Sequence, residues 1–382
     1  MNYTFLLELK KNIRDKNIFV VPLLLLIIFT FFCVQNSHEE EFFDGWENER
    51  SSMTLTRAFN ANGEEQTLEK LNENPKQNAS LIKTLEIKEK ILQAIDQRDK
   101  QKFVKGKLAE VNNRLEDPRA LDPIGRLLDK LSQIEYQKIL KNKNEYLFST
   151  QRKKPTFNLF QEIVSTSLQS HLLLLFLSLF SAYVFFQAEK SKSKEFVDIF
   201  PTQNWKKTLA KLSYFFLYFS LSFLGAIALF FLANSLFFGL GEANYPFAVA
   251  VSKGSVTFIS ASQFLWKFCF LFVLFLLFIV VFNYCLAKWT KNIFVLFIAN
   301  AFLFLLETAP VLQEEKMLGF KQLFIGSYSN IAKILKNTPY LQGGNGFYPS
   351  FSQATLVISA YICIFAILSF IPNHLRKGGV LC

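Results

Sequence analysis

The sequence has little charge for its length. Of 382 residues only 19% are Asp, Glu, Lys or Arg, where a soluble chain averages about a quarter. It has three histidines, and His38, His171 and His374 are isolated from one another and from cysteine. That excludes zinc-ligand spacing. No G-x-x-x-x-G-K-[ST] phosphate loop is present, so this chain is not expected to hydrolyse nucleotide alone. No H-E-x-x-H helix and no G-x-S-x-G turn is present either. Cysteine is sparse and badly placed for a disulfide framework. Cys33, Cys269, Cys285 and Cys363 fall in or beside apolar runs, Cys382 is the last residue, and residues 35–165 have none. A disulfide-stapled secreted scaffold is thereby excluded.

What is abundant is phenylalanine, 45 residues of it. The charge that does exist is segregated. Residues 35–165 hold 22 basic and 22 acidic side chains, and the remaining 251 residues hold 20 and 9, which accounts for the net charge of +11. Six apolar runs approach the roughly 17–25 residues needed to cross a bilayer. They cover about 18–34, 168–187, 212–234, 264–287, 293–309 and 355–372. The fold class expected is an all-α integral membrane protein. It has six transmembrane helices, with a mainly helical extracellular domain, residues 35–165, inserted between the first and second.

Lysine and arginine orient it. Lys10, Lys11, Arg14 and Lys16 precede the first span, and Lys190, Lys192, Lys194, Lys206, Lys207 and Lys211 lie between the second and third. Lys288 and Lys291 sit between the fourth and fifth, and Arg376 and Lys377 follow the last. Alternating spans put all of them on the cytoplasmic side, with both termini. Arg152, Lys153 and Lys154 fall outside, but in a long insert, where the rule is weak. The Phe31-Phe32-Cys33-Val34 end of the first run lacks a small-x-small cleavage site, so it reads as an uncleaved anchor.

Within residues 1–17, Phe5, Leu6, Leu9 and Ile13 recur at helical spacing opposite the basic residues, as in an interfacial amphipathic helix. The competing reading is the start of the first span. In the insert, Leu81 and Leu85, then Ile87, Ile91 and Ile95, then Leu108, Val111 and Leu115 predict helices. Leu121, Leu128, Leu131 and Ile134 start another stripe after Pro118 and Pro123, while the Asn-rich residues 71–80 read as a linker. Val249–Ile259 has the composition of a small hairpin. Ile331, Ile334 and Leu335 suit a short amphipathic helix, and Gly343-Gly344-Asn345-Gly346 a turn.

Ionisable residues inside a span would mark an ion path. The candidates, His171 and Glu307, both stand near span ends, and Asn283 and Asn300 are expected to hydrogen-bond between helices. The most informative loop is 188–211. Phe196, Val197, Ile199 and Phe200 form one apolar face of a short helix that Pro201 stops. Trp205 is placed to meet the membrane interface, and Lys211 enters the next span. Such a helix can dock a partner protein or lie on lipid.

The loop resembles the signature of type 2 ABC exporter permeases (the ABC-2 family). The residues that carry the likeness are Glu189 after the second span, the coupling helix Phe196–Phe200, the Phe200-Pro201 step, Trp205 and Lys211. The family's Gly-Thr pair before the coupling helix is replaced by Lys192–Lys194. Tyr328-Ser329-Asn330 followed by Ile334-Leu335 is similar to the family's loop before the sixth span. The resemblance covers roughly residues 1–34 and 165–380, and leaves the insert unmatched. It implies a bacterial plasma-membrane protein that pairs with a second permease subunit, identical or related, and with two ABC ATPase subunits. Glu189, Phe196, Ile199, Phe200 and Pro201 would then dock the ATPase, with Trp205 and Lys211 as interface anchors. No cofactor is expected in this chain, since ATP and Mg would sit in the ATPase, and no nucleic acid is expected as a partner. The chain itself would not be an enzyme. Two rivals remain. One is a mechanotransmitting membrane protein that moves its outer domain and exports nothing. The other is a membrane enzyme, against which the missing polar cluster argues.

The orientation is directly testable. In a cysteine-free background, single cysteines at Ser80 and Lys192 should differ. An impermeant thiol reagent on intact cells should label position 80 and spare position 192, and the reverse pattern would overturn the six-span arrangement.

Overall fold

The computed structural model describes residues 19–38, 46–47, 49–51, 75–116, 123–147, 154–167, 170–190, 204–252, 255–290, 292–306, 318–336 and 349–370. The amphipathic segment 1–17, the linker residues 71–74, Phe196–Pro201, Glu307 and the Gly-rich turn 343–346 lie outside them.

Four helices are long and apolar enough to cross a membrane. They are α6 (Ser170–Lys190), α7 (Asn204–Phe238), α8 (Ala261–Trp289) and α12 (Phe351–Phe370). Two shorter apolar helices, α1 (Val20–His38) and α9 (Ile293–Leu305), stand beside them. The insert contributes α2 (Pro75–Asp96), α3 (Lys100–Glu116) and α4 (Pro123–Asn142), and α5 (Thr156–Glu162) runs into a π turn at Ile163–Ser167. Strands β1 (Pro246–Ser252) and β2 (Ser255–Ser260) form an antiparallel hairpin. Between α9 and α12 come α10 (Leu318–Leu323), a 3₁₀ turn at Ile325–Tyr328 and α11 (Ile331–Lys336).

The centre of the bundle is α8. A helix that is apolar all round must be covered all round. Phe264, Phe268, Leu271, Phe272, Phe275, Leu276, Phe278 and Ile279 of α8 are each 1% exposed or less. α6, α7 and α12 pack against it, with α5 and α11 near its insert end. Phe223 of α7 stacks on Phe272 at 3.8 Å and 11°, Phe160 of α5 meets Phe268 edge-on at 5.5 Å, and Phe365 of α12 meets Phe282 edge-on at 5.0 Å. A capping box between Ser260 and Gln263 starts α8. Asn292 starts α9, its side chain accepting from the Phe294 N–H at 2.9 Å.

The outer helices are one-sided. Val21, Leu25 and Phe29 of α1 are buried, with Phe29 against Phe230 of α7, while Leu23, Ile27 and Phe31 are about 60% exposed. On α12, Leu356, Ile364 and Ile367 are likewise exposed. Faces of that kind suit lipid. α8 also carries an exposed tryptophan at each end, Trp266 and Trp289. Their 23-residue separation is about 34 Å of helix, close to the distance between the two aromatic belts of a bilayer.

α9 is too short for that distance. Its 13 residues rise only about 20 Å. The 3₁₀ turn packs on its end, and Ile325, Tyr328, Ser329 and Ile331 are all 1% exposed or less. Ser170 at the start of α6 holds this segment in place: its hydroxyl donates to the Ser329 carbonyl and accepts from the Ile331 N–H, both at 2.9 Å. The Tyr361 hydroxyl of α12 donates to the Leu323 carbonyl at 3.0 Å.

In the insert, α2 and α3 form a tight hairpin. Ile87, Ile91 and Ile95 bury against Phe103 and Val104 as their spacing predicts. Gly106 permits the approach, since a Cβ there would lie 2.5 Å from Ile91 Cγ1. Arg114 grips Asp129 of α4 with two bonds of 2.9 and 2.8 Å. The two arms of the insert are stitched together where they meet the bundle. The Asn36 amide accepts from the Lys154 N–H at 3.1 Å and donates to the Lys154 carbonyl at 3.3 Å and to Asn234 Oδ1 at 3.2 Å. Asn234 in turn donates to Thr156 Oγ1 at 3.1 Å, which donates to the Gly239 carbonyl at 2.9 Å. Gly239 sits at φ +78° past the end of α7, a conformation that favours glycine.

Three sequence expectations are corrected. Residues 75–80, read as linker, are the first turns of α2, because proline is tolerated in a helix's first turn. Residues 204–211, read as loop, are the first two turns of α7. Residues 156–165, read as the end of the insert, form α5 and its π turn and bury Leu159, Phe160, Ile163 and Val164 in the bundle core.

Gly326 of the 3₁₀ turn offers a test. A Cβ there would overlap the Leu303 carbonyl oxygen of α9, a backbone atom that cannot step aside. Gly326→Ala should therefore cost about 1–3 kcal/mol, read as a lowered thermal unfolding midpoint of the protein in detergent.

Candidate functional site

The end of the bundle that carries Lys206, Lys207, Lys211 and Lys288 is here called the basic end. Residues 191–203 connect α6 to α7 there. Glu189 stands in the last turn of α6, and Phe196, Ile199, Phe200 and Pro201 fall in the connection, outside the described residues. Trp205 is in the first turn of α7 and half-exposed, with the Lys206 ammonium 5.5 Å from its ring.

Lys211 is two turns further in, where the helix has become apolar. A cation there needs an aromatic face or an acceptor to replace water. Its ammonium lies 5.8 Å from the Phe185 ring of α6 and 5.5 Å from the Tyr284 ring of α8. Phe185 packs edge-on against Phe215 at 4.7 Å and against Tyr284 at 5.8 Å. The Tyr284 and Thr208 hydroxyls are hydrogen-bonded at 2.9 Å. One cage therefore ties α6, α7 and α8 together beside the connection. A second tie joins α8 to α12, where Lys288 donates to the Ser369 carbonyl at 2.9 Å.

About 10 Å further into the bundle, by helical rise from Trp289 and from Ile293, is a polar knot of three fully buried side chains, Ser178, Asn283 and Asn300. Asn283 donates to the Ser178 carbonyl at 3.1 Å and to its hydroxyl at 3.2 Å. Asn300 donates to Asn283 Oδ1 and to the Leu296 carbonyl, both at 2.7 Å, and the Ser178 hydroxyl donates to Asn300 Oδ1. Every polar atom of the three side chains has a partner, so the knot fixes helix register and offers no free group for chemistry. Asn283 and Asn300 thus bond between helices as their sequence positions predict.

His171 stands in the first turn of α6, away from this knot. Among the described residues no group of three His, Cys, Asp or Glu could hold a metal ion. The arrangement at the basic end can bind and hold helices in register. The cage residues Phe185, Thr208 and Tyr284 were not legible from the sequence, although a lysine two turns inside an apolar helix signals that some partner must exist.

No family model matches the chain, and no curated protein or solved structure does.

The knot predicts a specific cost. Asn300→Leu would leave buried polar atoms of Ser178 and Asn283 without partners. It should destabilise the protein by about 1–2 kcal/mol, measured as a lowered unfolding midpoint. Asn300→Gln should not restore it, since the amide is carried one methylene too far.

Proposed function

We propose that the chain is the membrane-spanning permease subunit of an ATP-driven ABC-2-type exporter, with six membrane helices and residues 35–165 outside the cell. The observation that carries this reading is the Lys211 cage. The connection 191–203, whose Phe196–Phe200 face suits a partner groove, joins in sequence two helices that the cage locks to the central α8. A displacement of that connection is therefore handed to α8 directly. The buried Tyr328-Ser329 segment, folded back onto α9 and α6, also supports the family resemblance. Two such subunits would enclose the path, and separate ATPases would bind and hydrolyse Mg-ATP. A peptide, an antibiotic or a lipid-like molecule suits an aromatic, apolar interior. The permease supplies contacts that differ between states, and the ATPases supply the energy.

One observation favours the mechanotransmitting alternative. The insert and the bundle share one continuous apolar core, through Ile91, Phe103 and Ile139 on one side and Phe160 and Phe268 on the other. Motion of the bundle would then reach the insert. Cargo appearing across the membrane of proteoliposomes, against activation of an external partner without cargo, separates the two.

The docking face is testable. Phe196→Ala combined with Phe200→Ala should leave membrane insertion intact. Each lost phenylalanine should cost roughly 2–4 kcal/mol of association, so the ATPase should no longer co-purify. Asp198→Ala should do less, since an exposed charge is screened. Equal ATPase recovery from wild type and the double variant would mean that this helix rests on lipid.

A further inference from the structure

The insert leans on the rest of the chain through α4. That helix packs on β1, and Lys138 lies 4.8 Å over the Phe258 ring of β2. Beyond the helix the Glu145 N–H donates to Glu242 Oε1 at 2.8 Å, joining the insert to the turn before the hairpin. The junction is lined with aromatic rings. Tyr136 and Tyr146 stand 6.1 Å apart, Tyr146 is 5.5 Å from Phe103, and the buried Tyr245 is 5.8 Å from Phe247.

Glu135 of α4 is partly buried in this junction, and among the described residues it forms no ion pair or hydrogen bond. Its electrostatic neighbours are Tyr136 on its own helix, Tyr146 on the segment that follows, and Tyr245 of the turn before β1. Glu242 acts on that same Tyr245. Its Oε2 is buried without a partner. Glu49 and Glu110 act on Tyr136, but each already has a cation, Lys107 at 3.0 Å and Arg114 at 3.2 Å. Lys138 is the charged group one turn on, and it is directed at the Phe258 ring. Lys100 pairs with Glu145. Glu135 therefore sits among neutral phenols and acids. An ionised carboxylate there is largely stripped of water and has no counter-charge, and a neutral one fits.

We propose that Glu135 is a proton-operated latch: neutral, it lets α4 seat on the β-hairpin, and ionised, it drives the insert off that seat.

Burial raises the Glu135 carboxyl to about 7, so the latch works near neutrality. The phenols do not compete. Burial lifts Tyr136 to about 12 and moves Tyr146 and Tyr245 upward as well, and all three stay neutral throughout. The sign follows from linkage. A carboxyl whose value is raised in the seated state binds its proton more tightly there. Seating is therefore fully supported below the ordinary carboxyl value near 4.5 and is lost as pH rises through about 7. The unseating equilibrium should grow about tenfold per pH unit across that window, roughly 300-fold in all. This latch is independent of what the bundle transports.

The test uses the full-length protein in phosphatidylcholine nanodiscs. Hydrogen–deuterium exchange is followed from pH 5 to 8.5, with rates corrected for the intrinsic effect of pH. Peptides covering 131–147 and 242–247 should open roughly 70-fold more readily at the high end, with a midpoint near 7, while peptides from α8 hold steady. Glu135→Gln should keep the low-pH protection throughout. Should that variant fail to fold, Glu135→Met, neutral and similar in length, should do the same. Four results would overturn the latch: no change with pH in wild type, a midpoint near 4.5, an equal change spread through α8, or an unaltered pH response in a folded Glu135→Gln or Glu135→Met protein.

Discussion

The packing of α8 is the constraint on which the rest depends. Among the described residues the twelve largest fully buried side chains are all aromatic, and five of them, Phe264, Phe268, Phe272, Phe275 and Phe278, sit on this one helix. A helix with no polar stripe cannot lie against water along its length, and α6, α7, α12, α5 and α11 cover most of it, leaving Trp266 and Trp289 exposed near its ends. The outer faces around it can then be apolar toward lipid, as on α12 and on α1, which packs outside α7.

Two hydrogen-bonded polar clusters inside that apolar mass fix its register. The knot of Ser178, Asn283 and Asn300 pins α6, α8 and α9, and the chain of Asn36, Asn234, Thr156 and Gly239 pins α1, α5 and α7 at the opposite end. Phenylalanine packing tolerates sliding, because one ring is much like the next. An amide that must meet a particular carbonyl does not. The two polar sites therefore supply specificity where the rings supply cohesion.

Much of this was legible in the sequence, and the rest failed for identifiable physical reasons. The four long spans, the Ile87–Ile91–Ile95 stripe, the hairpin around residues 249–259 and the short helix at Ile331–Leu335 all announce themselves by periodicity or composition. The starts of α2 and α7 are not legible, because proline, asparagine and lysine look like loop residues until a helix N-terminus or an aromatic cage accounts for them. α5 is hidden in the sequence because 12 residues of helix and π turn are too few to register as a span. The candidate site divides the same way. Lys211 and the two asparagines stand out, whereas Phe185, Tyr284 and Thr208 are ordinary residues until three helices bring them together. Glu135 is one acid among 22 in the insert, and only its surroundings distinguish it.

The shortness of α9 has a consequence for the lipid. Its exposed face, with Phe294, Ile298 and Phe302 at 60–70% exposure, offers only about 20 Å of apolar height to a hydrocarbon layer of about 30 Å. Beyond its end the exposed Phe320 and Leu323 of α10 continue the apolar surface sideways. Acyl chains that met this flank would shorten or splay to follow the step, at a cost of fractions of a kcal/mol per ångström. A bilayer around the molecule would then be thinner beside the described residues of α9 than beside α8 and α12, and lipids with short or disordered tails would suit that one flank.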